Sequence, residues 1–314
     1  MSANGIWLGR EDDGRDAICQ STRQMLDCLQ LDIPLCRKIY SQIVSDYKNL
    51  GPEIKPTKNE KKRLYKGEKT GNRSFQQLRS ILFPLEQLDC RSGRVSRSKK
   101  GRRLFSPFTQ LKSDFRAAIS VEGDALASVD MRACQPTLLA LLAKDEAFYR
   151  DCIHDRLYEA IREELGVDRD TAKMAYCEYA YGGIRSKNSK SQAAFAIQEL
   201  IADRYPTTAK FVNEARKDGD YRRLSHRMMK FESELFVDGV LSELHGRNIF
   251  ALSVHDGLYC KSSQLLAVRE ITQSHLTAAV QKHLQIDTPP ILCVEPHSNP
   301  SQQNIHTYKT HGHT

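Results

Sequence analysis

One junction constrains this chain more than any other feature. Ala125-Leu-Ala-Ser-Val129 is an apolar run of strand length that ends in Asp130. Six residues later the chain enters Pro136-Thr-Leu-Leu-Ala-Leu-Leu-Ala143. An apolar run without polar alternation reads as a strand buried on both faces, and a run that is apolar all round reads as a buried helix. Together they require a sheet covered by helices, an α/β (α+β) chain. A length of 314 residues allows that, as one domain with subdomains or as two domains. Asp130 stands at the strand's end, where a carboxylate either caps the next helix or binds a cation.

A second carboxylate interrupts another strand-like run, Leu252-Ser-Val-His-Asp-Gly-Leu-Tyr-Cys260, inside a hairpin expected over 248–261. Asp256-Gly257 is a favoured turn dipeptide. The other reading is a held cation, because a carboxylate among apolar neighbours is costly unless it is paired. If the strands of Asp130 and Asp256 are neighbours in one sheet, their carboxylates can converge on two Mg²⁺ ions.

Two helical stripes carry complementary charge. The pattern over 169–181 predicts a helix with Asp168 as N-cap and Gly182-Gly183 as stop. On it Arg169, Lys173 and Tyr181 lie along one slanted stripe, which taken alone reads first as a solvated face and also suits a triphosphate followed by a sugar or base. Arg222, His226 and Lys230 repeat the four-residue spacing on a long amphipathic helix expected over 222–244, and could track a phosphate backbone. Further helices are expected as a pair within 21–50 and over 264–284, an apolar segment around 78–88, and a last strand over 290–294.

Composition excludes several classes. No apolar run approaches the roughly 18 residues that span a bilayer. The start, MSANGIWLGREDDGRD, has no apolar signal core. Nine cysteines occur without CxxC spacing, which argues against a zinc site or a disulfide framework and for a cytoplasmic protein with reduced thiols. The formal net charge is +8, and residues 55–103 carry 16 Lys/Arg against 4 Asp/Glu. Such a surplus is an electrostatic footprint for a polyanion, nucleic acid first.

Taken in order, these elements resemble the family A DNA polymerases and the related phage-type single-subunit RNA polymerases. Ser128-Val-Asp130-Met-Arg-Ala-Cys-Gln135-Pro-Thr-Leu-Leu-Ala140 is similar to polymerase motif A. Arg169-x3-Lys173-x7-Tyr181-Gly182 is similar to motif B, and Val254-His255-Asp256 to motif C. Gly101-Arg-Arg-Leu-Phe-Ser106, with Leu111 and Arg116, resembles the segment ahead of motif A. The resemblance covers about 101–262. It implies a right-hand palm with a small antiparallel sheet (101–144 and 221–314), helical fingers (145–220) and a reduced thumb-like region (1–100).

It also implies roles. Asp130 and Asp256, with the Met131 backbone carbonyl, would bind two Mg²⁺, Mn²⁺ being a possible substitute. Lys173 and Arg169 would bind the triphosphate, Tyr181 would lie by the templating pair, and Gln135 would stand at the sugar. Arg103, Arg116, Arg222, His226, Lys230 and His255 would contact a DNA primer–template, with RNA possible; dNTPs would be the substrates.

Departures accompany the likeness. Gly257 replaces the family's Glu, Gln135 its sugar-excluding Glu, and Cys177 a larger residue one turn before Tyr181. The length ahead of Asp130 is too short for a proofreading domain plus a full thumb, so a minimal enzyme without 3′–5′ exonuclease, of phage or mobile-element type, is expected. The alternatives are an RNA polymerase or primase on the same palm, an inert nucleic-acid-binding replication protein, and a phosphohydrolase drawing on His154 and Asp155.

Overall fold

The computed structural model describes residues 10–11, 16–49, 75–181, 192–217 and 222–297. The expected basic loop over 51–73, the Gly182-Gly183 stop and the polar tail from Ser298 lie outside them, as does the side chain of Tyr181.

The central strand is the apolar run of the junction. It begins one residue earlier than its apolar core and runs through the carboxylate, as β6 (Asp124–Met131) in a sheet of antiparallel strands. Leu126 and Ala127 are fully buried and Val129 nearly so, whereas Asp130 is exposed. Along one edge of β6 runs the hairpin β7 (Ala251–Val254) and β8 (Gly257–Lys261), with Asp130 paired to Gly257. Also antiparallel to β6 are β9 (Leu292–Pro296) and β5 (Ile119–Val121). Beyond β5 lies β2 (Leu29–Leu31), which the helical reading of 21–50 missed. Three residues are too few to show a period; pairing with β5 makes them a strand. The two flanking helices are present as α1 (Ala17–Asp27) and α2 (Ile33–Asn49).

The apolar segment around 78–88 belongs to α3 (Phe75–Asp89). After it the later part of the basic stretch, from Arg91 to Arg103, is folded. β1 (Arg10–Glu11), β3 (Ser96–Ser98) and β4 (Leu104–Phe105) form a small antiparallel sheet. Within it Arg97 is buried against Asp16 (2.7 Å) and Asp238 (2.6 Å). A helical layer follows β6. It comprises α4 (Cys134–Ala143), α5 (Glu146–Ile153), α6 (Arg156–Leu165), α7 (Arg169–Tyr181), α8 (Gln192–Arg204) and α9 (Pro206–Ala215). These helices share a hydrophobic cluster that includes Tyr149, Tyr176, Tyr179 and Ile201 and takes in Leu224, Met228 and Val280 from later in the chain. A separate cluster joins the sheet to α1, α2 and α3.

The helix expected over 222–244 is three segments in one rod. They are α10 (Arg222–Ser233), a π-helical stretch Glu234–Leu241, and α11 (Ser242–Gly246). Finally α12 (Leu265–Leu284) packs across the sheet, burying Val268 and Leu276. Among the described residues no helix is long and apolar enough to cross a membrane.

Candidate functional site

The two carboxylates meet because β6 and β8 are neighbours. Asp130 pairs across the ladder with Gly257, the residue after Asp256. A Cβ added at Gly257 would stand 3.7 Å from Asp130 Oδ1, so position 257 lies against the carboxylate. The turn itself is not Asp-Gly. Val254 pairs with Gly257, which makes His255-Asp256 the two-residue loop, and His255 takes a left-handed φ of 58°. A non-glycine residue there is strained. In exchange Asp256 sits at the tip of the hairpin, beside the end of β6, rather than within a strand.

The electrostatics of the pair are unfavourable in the protein alone. Burial, then the charges of Asp130 and Glu232, push the Asp256 carboxyl up to about 6. Asp130 is open to solvent, yet desolvation and then Glu295 raise it, while its own backbone neighbour and Lys173 pull it down. The Met131 N–H donates to Asp130 Oδ1 at 2.9 Å, which fixes that side chain at the strand's end. The Cys134 thiol hydrogen-bonds to Asp256 and is pushed far up by burial and by the surrounding carboxylates, so it remains a neutral donor.

Glu232 is the site residue that the sequence did not announce. It belongs to α10, is 1% exposed, and accepts from Arg103 Nε and Nη2 at 2.8 Å each. Gln135, in the first turn of α4, donates its amide Nε2–H to the same carboxylate. Three donors satisfy a charge that would otherwise be costly to bury. The sequence signal was weak: Glu232 falls on the same side of α10 as the buried Met228, where an unpaired acid would not be tolerated.

The positive charge nearest in effect to Asp130 comes from α7. Lys173 is exposed on it, and its charge reaches Asp130. Arg169, one turn earlier, pairs with Asp155 at 2.8 Å and lies over the Tyr158 ring at 5.4 Å. Asp155 also receives Arg132 at 3.1 Å, so one carboxylate links the residues after β6 to the start of α7.

The remaining basic residues divide by burial. Arg116 is 9% exposed and lies over Tyr259 at 4.5 Å, with its guanidinium on the Tyr259 hydroxyl. Tyr259 in turn stacks on His297, which is 3.0 Å from Ser128 Oγ. Arg116 thus braces the sheet face beside Asp130. His255 is exposed, and desolvation, followed by the charges of Arg103 and Arg116, lowers its pKa. Arg222 and Lys230 are exposed on α10 and His226 is half-buried. Lys230 pairs with Glu234 at 3.6 Å. Two residues apart on a helix is about 200°, so Lys230 faces away from Glu232.

No family model and no curated protein matches the sequence. Among solved structures, the POL domain of Pol1 from M. smegmatis, in complex with DNA primer-template and dNTP, is similar in fold. The match has a TM-score of 0.53 at 15% identity and covers 91% of this chain and 70% of that one. The fold is polymerase-like. At that identity the likeness speaks for the fold, and the chemistry of the polymerase-like chain rests on its own residues.

Those residues bring together two acids, Asp130 and Asp256, with the charge of Lys173 acting on Asp130 and that of Glu232, from the Arg103–Glu232–Gln135 network, acting on Asp256. Among the described residues no group of three or more His, Cys, Asp or Glu side chains is arranged to enclose a metal. A carboxyl raised by burial and by the charges of Asp130 and Glu232, as Asp256 is, is nevertheless a demand for positive charge. A hard cation that keeps water and substrate oxygens in its shell fits such a sparse protein set.

Proposed function

We propose that the protein is a nucleotidyltransferase that extends a nucleic-acid primer on a template, most simply with dNTPs on DNA. The observation that carries the reading is the placement of Asp130 at the end of β6 and Asp256 at the tip of the adjoining hairpin, with the charge of Lys173 acting on Asp130. The polymerase-like fold supports it.

Asp130 and Asp256, with the Met131 carbonyl, would hold two Mg²⁺ or Mn²⁺ ions. Bound there, the ions would supply activation of the primer hydroxyl and neutralisation of the triphosphate. The protein's own groups would position. Lys173 would bind the triphosphate and give a proton to the departing pyrophosphate. Arg169 would bind the outer phosphates, and Tyr181 would border the templating pair. Gln135 would stand at the sugar of the incoming nucleotide. Arg103, His255, Arg222, His226 and Lys230 would line the path of primer and template, with Arg116 beneath them.

Primer extension in Mg²⁺, with dNTPs and NTPs supplied separately, tests the reading. Asp130→Ala and Asp256→Ala should lower incorporation by at least about 10³-fold, the scale of losing a group that stabilises transition-state charge. Duplex affinity should stay within a few-fold. Extension with NTPs alone would move the protein to the RNA polymerase or primase side. Tight duplex binding with no extension would leave an inert replication protein.

A further inference from the structure

Glu232 cannot touch a substrate, being 1% exposed, yet it is bonded to two residues placed at the reaction centre by the reading above. Its carboxylate takes both donors of the Arg103 fork at 2.8 Å and the Gln135 amide, binding groups 129 and 97 positions away in the chain. A carboxylate only accepts, so the nitrogen of the Gln135 amide must face Glu232 and its carbonyl oxygen must face away from it. Gln has several rotatable bonds, and each bond to its amide removes part of their freedom. Held at its end by a buried, immobile partner, it presents a fixed bulk.

We infer that Glu232 is a positioning residue for sugar selection: through one carboxylate it locks Gln135 against the nucleotide's C2′ side and Arg103 at the primer end. The inference rests on the nucleotidyltransferase reading. Gln135 held in this position leaves no room for a 2′-hydroxyl, whereas loss of the Glu232 bond loosens it and admits one. Because Arg103 shares the carboxylate, the same contact sets the primer terminus in register with the incoming sugar.

The test compares wild type, Glu232→Gln, Glu232→Ala, Gln135→Ala and the double variant Glu232→Ala/Gln135→Ala. On one primer–template, kcat/KM is measured for a dNTP and for the matching NTP. Loss of Glu232 is expected to lower the dNTP-to-NTP ratio about tenfold or more, the scale of a charged hydrogen bond. Glu232→Gln should lower it less, and the double variant should lower it no further than Gln135→Ala. A folding defect lowers both rates together and leaves the ratio unmoved, so Glu232→Ala need not be fully stable. Thermal unfolding of each variant is read alongside.

An unchanged ratio in the Glu232 variants, or additive losses in the double variant, would overturn the inference while the polymerase reading stands. So would a wild type that uses both sugars equally well. A wild type that extends with neither overturns the reading, and this inference with it.

Discussion

Asp256 has a cost that can be measured without any substrate. Its carboxyl is raised from 3.8 to about 6 in the fold. The folded state therefore binds a proton more tightly than the unfolded chain does, and stability falls as pH rises between about 4 and 6. Above that window the ionised side chain costs up to about 3 kcal/mol. In metal-free buffer at pH 7.5, Asp256→Asn should melt higher than wild type, with a gain of about 1–3 kcal/mol. The gain should vanish by about pH 4. Mg²⁺ should raise the melting temperature of wild type and not of the variant. A variant less stable than wild type at pH 7.5 would mean that the neighbouring acids impose no penalty. The same residue shows the limit of local reading. Asp256-Gly257 looked like the turn, but Gly257 is drawn into β8 by pairing with Asp130, and the strained position passes to His255.

At the scale of elements, the long helix that carries Glu232 changes type at Glu234. A π stretch adds residues per turn, so the face that follows is rotated relative to the one before. The shift lets α10 turn Glu232 inward toward Arg103, while Val237, Val240 and Leu241 still reach the core beneath the sheet. Gly239 lies in that stretch against His275. A Cβ there would meet His275 Nδ1 at 3.0 Å and the Glu234 carbonyl at 3.4 Å, and His275 is held by Glu243 at 2.7 Å. Replacing glycine by alanine inside a helix ordinarily stabilises by about 1 kcal/mol. Gly239→Ala should instead destabilise by about 1 kcal/mol, seen as a lower denaturation midpoint. A higher midpoint would show that His275 moves freely. Periodicity anticipated the rod and its apolar stripe but not the π stretch, because one extra residue in a turn leaves no mark in an averaged hydrophobic pattern.

For the whole molecule, charge and fold are partly one subject. The net charge of +8 and the basic stretch over 55–103 suggested a polyanion, yet the structure spends Arg97 on Asp16 and Asp238 and Arg103 on Glu232. The rest of the surplus should still govern association. If duplex DNA is the partner, log affinity against log salt should fall with a slope of about −4 or steeper, as for five or more phosphate contacts. A flat dependence would remove the electrostatic argument for nucleic acid. What this sequence determined by itself was local: a buried strand that ends in an acid, a second acid in a hairpin, and cations spaced along one helix. These are legible because strand and helix periods act within about a dozen residues and burial is written in apolar runs. Tertiary structure alone decided which groups meet. It set β6 beside β8 in the register that brings the acids together, buried Arg116 under Tyr259, and joined Glu232 to Arg103 and Gln135. Those contacts depend on the packing of segments far apart in the chain, where no local period constrains the pairing and only burial with satisfied charge selects the partner.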